Sequence, residues 1–248
     1  MKKKNYCFRF KQFSVKHEVS SMHVGVDAVL LGAWTRYPSQ GKILDVGTGC
    51  GVIALIAAQL SGDCQITAID IDENSVREAN ENFEMSPWRN RVKGIRTDFS
   101  QFSVETDEKF NLIISNPPYF DSGGDAGLSA RMRARHQDVL SPFSLICYGK
   151  RLLEPGGVIA MILPVEFESR IDAAADENGM RIIRRCCMRG NANSSPKRLL
   201  VEIAEKDCSL SASDVSENHE SEELVIENSR GDYTDEYVKL CKELYLRF

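Results

Sequence analysis

Between residues 42 and 60 the chain passes from a β-branched run, through a turn of alternating glycines, into an apolar run of helix length: Lys42-Ile43-Leu44-Asp45-Val46, then Gly47-Thr48-Gly49-Cys50-Gly51, then 52–60. Glycines let backbone approach a ligand without an intervening Cβ, and a helix that starts at once offers unpaired N–H groups. Such a unit belongs to a parallel sheet covered by helices, in which ligands gather at the carboxyl ends of the strands. A dinucleotide fingerprint spaces its glycines Gly-x-Gly-x-x-Gly. Here the spacing is Gly-x-Gly-x-Gly with Asp45 before it, and that carboxylate suits a cationic group such as an ammonium better than a pyrophosphate. Asp45, Gly47, Gly49 and Gly51 are therefore candidate cofactor residues.

The alternation continues along the chain. Strands are expected at 43–46, 65–69, 92–96, 110–115, 157–162, 181–188 and 197–204, and helices at 52–60, 73–85, 142–153 and 166–178. Ser141 with Pro142 starts one helix, and Pro155-Gly156-Gly157 stops it and turns the chain. No helix-length segment separates the last two strands, which predicts an antiparallel hairpin at the sheet edge. The expectation is an α/β, Rossmann-like sheet of seven strands, mostly parallel, in a single domain spanning 1–248. Within it, 1–40 is an N-terminal extension, 41–206 the core, and 207–248 an acidic loop with a terminal strand or helix.

Two further strands end in acids. Asp70 stands where such folds hold ribose hydroxyls, with Asp72 as competitor, and Asp98 stands where an adenine amino group would lie, with Phe99 beside the ring. Each acid alone reads as a helix cap. Three at successive strand ends after a glycine turn point to a nucleoside cofactor.

Strand 110–115 then delivers Asn116-Pro117-Pro118-Tyr119 to the same edge. An amino nitrogen on an aromatic ring or carbonyl is a poor nucleophile because its lone pair is delocalised. The Asn116 oxygen and the Pro117 carbonyl can each accept one N–H and draw that nitrogen toward tetrahedral geometry. Prolines fix the acceptors, and Tyr119 can stack on a base taken out of its own stack. Asn116, Pro117 and Tyr119 are the candidate catalytic residues. The motif alone fits adenine N6, guanine N2 or a protein glutamine amide.

With these residues in order, the chain resembles the class I S-adenosylmethionine-dependent methyltransferases. That resemblance implies that S-adenosylmethionine is the cofactor and that 45–51, Asp70 and Asp98 hold its methionyl, ribose and adenine parts. A narrower resemblance is carried by Phe8-Arg9-Phe10-Lys11-Gln12-Phe13, by 22–34 with Asp27-Ala28-Val29-Leu30-Leu31-Gly32-Ala33-Trp34, by Ser86-Pro87-Trp88, by Arg135, by 196–202 with Arg198, and by 233–246. These are similar to the bacterial tRNA1(Val) adenine-N6 methyltransferases, although Val26 replaces an expected Thr and Leu244 an expected Phe. The resemblance implies methylation of the adenosine 3′ of the anticodon, with Asp27 and its neighbours closing over the cofactor.

Charge agrees once it is divided. Net charge is −5, but 205–236 carries −9, leaving +4 elsewhere. Lys2, Lys3, Lys4, Arg9 and Lys11 precede any acid, and Arg131, Arg133 and Arg135 follow the reactive loop; both groups suit phosphate, and tRNA is the expected partner. The three lysines alone equally suit a solvated tail. His136 is given no role, since amino methylation needs no strong base before attack. Eight cysteines without a Cys-x-x-Cys pair and four scattered histidines predict reduced thiols and no metal. No apolar run is long enough for a membrane span, and no export signal follows Met1, so a cytoplasmic protein is expected. Two alternatives stay open: a protein glutamine N5-methyltransferase, and a non-catalytic cofactor-binding protein that interacts with RNA.

Overall fold

A computed structural model describes residues 6–20, 24–119, 140–206 and 220–248. An antiparallel hairpin, β1 (Cys7–Arg9) with β2 (Ser14–Lys16), comes first. Its Phe10 bridges to Tyr245 and stacks on Phe13 at 4.5 Å, which ties the hairpin to the C-terminal segment. Helix α1 (Val26–Trp34) follows, with six of its nine residues buried. It crosses α2 (Val52–Leu60) at Gly32, where a Cβ would come within 2.8 Å of Ile56 Cγ2.

Four apolar runs form the parallel strands β3 (Lys42–Val46), β4 (Gln65–Asp70), β5 (Val92–Arg96) and β6 (Phe110–Ser115). Helices α2, α3 (Glu73–Glu84) and α4 (Phe99–Glu105) connect β3 to β4, β4 to β5 and β5 to β6. Helix α5 (Pro142–Leu152) precedes β7 (Leu153–Pro164), which pairs parallel to β6; α6 (Glu168–Glu177) then leads to β8 (Met180–Asn191). Strand β9 (Arg198–Glu205) enters between β7 and β8, antiparallel to both. Beyond β8 lie β10 (Glu220–Ser229), parallel to it, and β11 (Asp232–Tyr233), and the short helix α7 (Asp235–Cys241) follows.

The result is a nine-stranded sheet in the order β11-β10-β8-β9-β7-β6-β3-β4-β5. Alternate residues of each strand feed two cores. Ile43, Ile66, Leu112 and Leu200 pack under α1, α2, α3 and α7, whereas Leu44, Ile113, Met161 and Leu199 pack under α4, α5 and α6. The α/β class and the antiparallel hairpin agree with the sequence reading. The strand count does not: nine rather than seven, with two strands outside the hairpin. The expected stop at Pro155 also comes earlier. Helix α5 ends at Leu152, and Leu153 already pairs with Phe110 before an irregularity in the ladder restores register at Leu112 and Val158.

Strand β10 begins inside the stretch expected to be an acidic loop, and cross-strand charge explains why it is a strand. Its neighbour β8 carries Arg184, Arg185 and Arg189. Glu222 takes a two-pronged bond from Arg184 (2.8 and 3.2 Å), and Glu223 pairs with Arg189. Opposite charges on adjacent strands make a favourable ladder out of residues that disfavour strands alone. Leu224 supplies the buried anchor.

Candidate active site

Strand order reverses at β3: β4 and β5 lie on one side and β6 on the other. A crevice must open at its carboxyl end, and the glycine turn sits there. Gly47, Gly49 and Gly51 have φ of 72°, 54° and 84°, the left-handed region in which side chains are strained. A Cβ at Gly51, the residue that starts α2, would lie 2.5 Å from the Phe83 ring. The turn is fastened to β4 by bonds from the Gly47 and Thr48 N–H groups to the Ile69 carbonyl (2.9 and 3.0 Å). A cleft of about 290 Å³ opens above it, lined by Val26 and Asp27 of α1, the turn itself, Ile53 of α2 and Asn116.

Asp45 lies beneath the turn and is fully buried. The Thr48 hydroxyl donates to its Oδ2 at 2.6 Å, while Oδ1 has no partner. Burial pushes this carboxyl up to about 7, against the lowering effect of the Thr48 and Ala54 hydrogen bonds and with a further push from Asp70. The carboxyl stands beneath the turn, outside the lining of the cleft.

Asp70 accepts the Gly49 N–H on Oδ2 and the Asp72 N–H on Oδ1, both at 2.9 Å, so it shapes the turn while keeping other lone pairs. Asp72 is occupied as the N-cap of α3, accepting the Ser75 N–H at 2.8 Å, and its pKa is lowered first of all by Ser75. Asp70 thus shapes the turn and Asp72 caps the helix. Asp98 caps α4 through Oδ1, which receives the Ser100 and Gln101 N–H groups and the Ser100 hydroxyl. Phe99 beside it is buried, edge-on to Tyr148 at 6.1 Å. Both stand at the end of β5 and outside the cleft lining. Sequence reasoning passed over Ile71, an apolar side chain 65% exposed between Asp70 and Asp72. An apolar residue directly after the strand-end acid was the available signal.

On the other side of β3, the Ser115 hydroxyl donates to the Val46 carbonyl at 2.7 Å and pins the end of β6 to the glycine turn. Asn116 therefore faces the cleft, with Pro117 buried behind it. The Tyr119 hydroxyl lies 2.7 Å from Asn116 Oδ1 and 3.0 Å from the Ile162 carbonyl. Burial, reinforced by Asp27, raises its pKa. One face of the Tyr119 ring, expected to be open for stacking, carries the Arg198 guanidinium 5.5 Å from its centroid. Arg198 is in turn held by Asp27 at 2.7 Å.

The N-terminal extension is anchored to this edge by α3. Buried Glu78 accepts the N–H groups of Glu18, Val19 and Ser20 (2.6, 3.1 and 2.9 Å). Asn82 exchanges two hydrogen bonds with Lys16 and donates to the Cys50 carbonyl, joining β2 to the glycine turn. The structure thus brings Asp27, Gly47, Gly49 and Asn116 around one cleft, over Asp45. Among the basic residues expected to contact RNA, Arg9 is exposed on β1. The Lys11 ammonium is instead taken by the Lys242 and Phe248 carbonyls, because the hairpin packs on the C-terminal segment. Lys2, Lys3, Lys4, Arg131, Arg133 and Arg135 lie outside the described residues. No helix among the described residues is long and apolar enough to cross a membrane.

A family model described as methyltransferase small domain matches residues 25–169. The tRNA1(Val) (adenine(37)-N6)-methyltransferase of Tolumonas auensis is 36% identical over 243 residues, covering 98% of both chains. Its counterpart from Parabacteroides distasonis is 40% identical over 244 residues, covering 98% of this chain and 99% of the relative. Among solved structures, a predicted O-methyltransferase from Agrobacterium tumefaciens superposes with a TM-score of 0.65 at 17% identity, over 88% of this chain and 96% of the other, a likeness of fold alone.

Proposed function

Because the chain belongs to the tRNA1(Val) (adenine(37)-N6)-methyltransferase family, we propose that it methylates N6 of adenosine 37 in tRNA1(Val), in the cytoplasm, with S-adenosylmethionine as donor. The observation that carries this reading is that Asn116, at the exit of β6, meets the glycine turn across one cleft.

The residues fit that donor. The turn has no Cβ at Gly47 or Gly49 to block close approach, and Asp45 Oδ1 is a buried oxygen without a partner, ready for an ammonium. Asp70 has lone pairs left for ribose hydroxyls, and Asp98 Oδ2 is the oxygen available to an adenine amino group. Phe99 and exposed Ile71 offer apolar cover at the ends of β5 and β4. Residues 6–20 and 24–40, fastened through Glu78 and Asn82, close over this edge with Asp27 foremost. When bound, the donor supplies a methyl group on a positively charged sulfur. The chain's own residues prepare the nucleophile. Asn116 Oδ1 and the Pro117 carbonyl accept the two N6 hydrogens, so that the lone pair turns from the ring toward the methyl carbon. Transfer of that methyl group from sulfur to N6 would leave one surplus N–H proton, acidic enough to pass to water, so no strong base is required.

The test is labelled methyl transfer to RNA from cells that lack the protein, followed by nucleoside analysis. N6-methyladenosine in tRNA1(Val) is the expected product; label on protein or DNA alone overturns the reading. Asn116→Ala is expected to lower turnover at least a hundredfold, within the range assigned to oriented hydrogen-bonding groups, with donor affinity retained. Equal loss of donor binding would mean that Asn116 serves the cofactor rather than the base.

A further inference from the structure

We propose that Arg198 forms the second wall of the slot that receives the target base, opposite Tyr119, and that Asp27 tethers it there. The inference rests on the base-methylation reading above and assigns a residue that the reaction chemistry alone does not require.

Arg198 is the first residue of β9 and stands opposite Pro164, the last residue of β7. Its backbone is therefore at the same sheet edge as Asn116. Its guanidinium lies over the Tyr119 ring, 5.5 Å from the centroid, and Nε donates to Asp27 Oδ2 at 2.7 Å. The Tyr119 hydroxyl reaches both Asn116 Oδ1 and the Ile162 carbonyl, which fixes the ring under the arginine.

The Asp27 and Arg198 side chains are 30% and 34% exposed, so their attraction is screened and adds little to stability. What the pair does is hold a planar cation over an aromatic face. A base that stacks on this face of Tyr119 must displace Arg198 or slide beneath it. A stacked base needs about 3.4 Å on either side of it, so the guanidinium has to move outward from the ring to admit one. Retraction of a tethered side chain supplies that movement, and the base is then held between a tyrosine ring and a guanidinium, the platform that single-stranded nucleic acids use. The tether comes from α1, which also lines the cofactor cleft, so the wall stands only where the cofactor edge is assembled.

Lysine separates a wall from a mere charge. Arg198→Lys keeps a cation for Asp27, and with it the local fold, but removes the planar surface. The expected result is a fall of roughly 5- to 150-fold in kcat/KM for tRNA, the range that one base–aromatic stack is worth. Donor affinity should stay within about twofold. A second readout uses an anticodon stem-loop with 2-aminopurine at position 37, whose fluorescence change on binding to wild-type protein is expected to be lost with the Lys variant. A Lys variant equal to wild type in both readouts overturns the proposal, as does a parallel loss of donor affinity, which would make Arg198 a support for Asp27 only. Wild-type protein inactive on tRNA refutes the function proposed above; active wild type with an unimpaired Lys variant refutes only the role of Arg198.

Discussion

Replacing Asp45 by asparagine tests how the glycine turn is supported from beneath. The native carboxyl is fully buried and titrates at about 7 instead of 3.8. A raised carboxyl pKa means that the folded chain holds the proton more tightly than the unfolded chain. Stability from this group is therefore complete below the unfolded value, falls as pH rises from about 4 through 7, and levels off about one unit higher. At about 1.36 kcal/mol per unit, the shift amounts to roughly 4 kcal/mol, of which about 2 kcal/mol falls between pH 5 and pH 7. The amide that replaces the carboxyl cannot ionise. Urea unfolding of wild type and Asp45→Asn, both free of donor, should give a stability difference that shifts toward the variant by that amount across the interval, other titrating groups cancelling in the comparison. A difference constant with pH refutes the buried, half-partnered carboxylate. The same group makes donor binding pH-linked: an ammonium beside Oδ1 requires the ionised form, so wild-type affinity should weaken up to about tenfold per pH unit below 7, a dependence absent from the variant.

Two other substitutions probe the anchors around the site. Glu78→Ala removes the common acceptor of three backbone N–H groups and is expected to cost about 2–4 kcal/mol, with hydrogen exchange at residues 16–20 accelerating ahead of global unfolding; uniform acceleration would deny Glu78 a local role. Arg184→Leu takes from Glu202, 2% exposed, the guanidinium 3.7 Å away and should cost about 3–5 kcal/mol in denaturant, whereas combining it with Glu202→Gln, which keeps an acceptor for the Arg36 N–H, should recover part of it; an unrecovered double variant refutes the charge-burial account.

The strand, glycine turn and helix of 42–60 were legible because local chemistry decides them: alternate glycines can do little else between a β-branched run and an apolar helix. The hydrogen bonds of Asp70 and Asp72 were not, since they depend on which side chain the first turn of α3 captures. Helix α1 gives almost no periodic signal, because six of its nine residues are buried against elements on more than one side. Strand β10 was hidden for a different reason. Its glutamates disfavour a strand until the arginines of β8, more than thirty residues earlier, are beside them. Lys11 looked like a phosphate contact because a sequence shows its charge and not the C-terminal carbonyls that take it.

The hairpin of β8 and β9 does more than finish the sheet. In a parallel strand the first residue lies at the amino edge, remote from the crevice; β9 is reversed relative to β7, so its first residue emerges at the carboxyl edge beside Asn116 and Tyr119. The reversal is what allows Arg198 to reach both Asp27 and the tyrosine. It also puts Glu202 four residues further along the strand, where it meets Arg184 and accepts the Arg36 N–H just after α1. One strand thus grips the N-terminal helix at both ends, Asp27 near its start and Arg36 beyond its finish. The orientation of β9 and the position of α1 over the cleft are consequently a single structural decision, and a substitution that frees either end of α1 should be felt at the base slot before it is felt in the core.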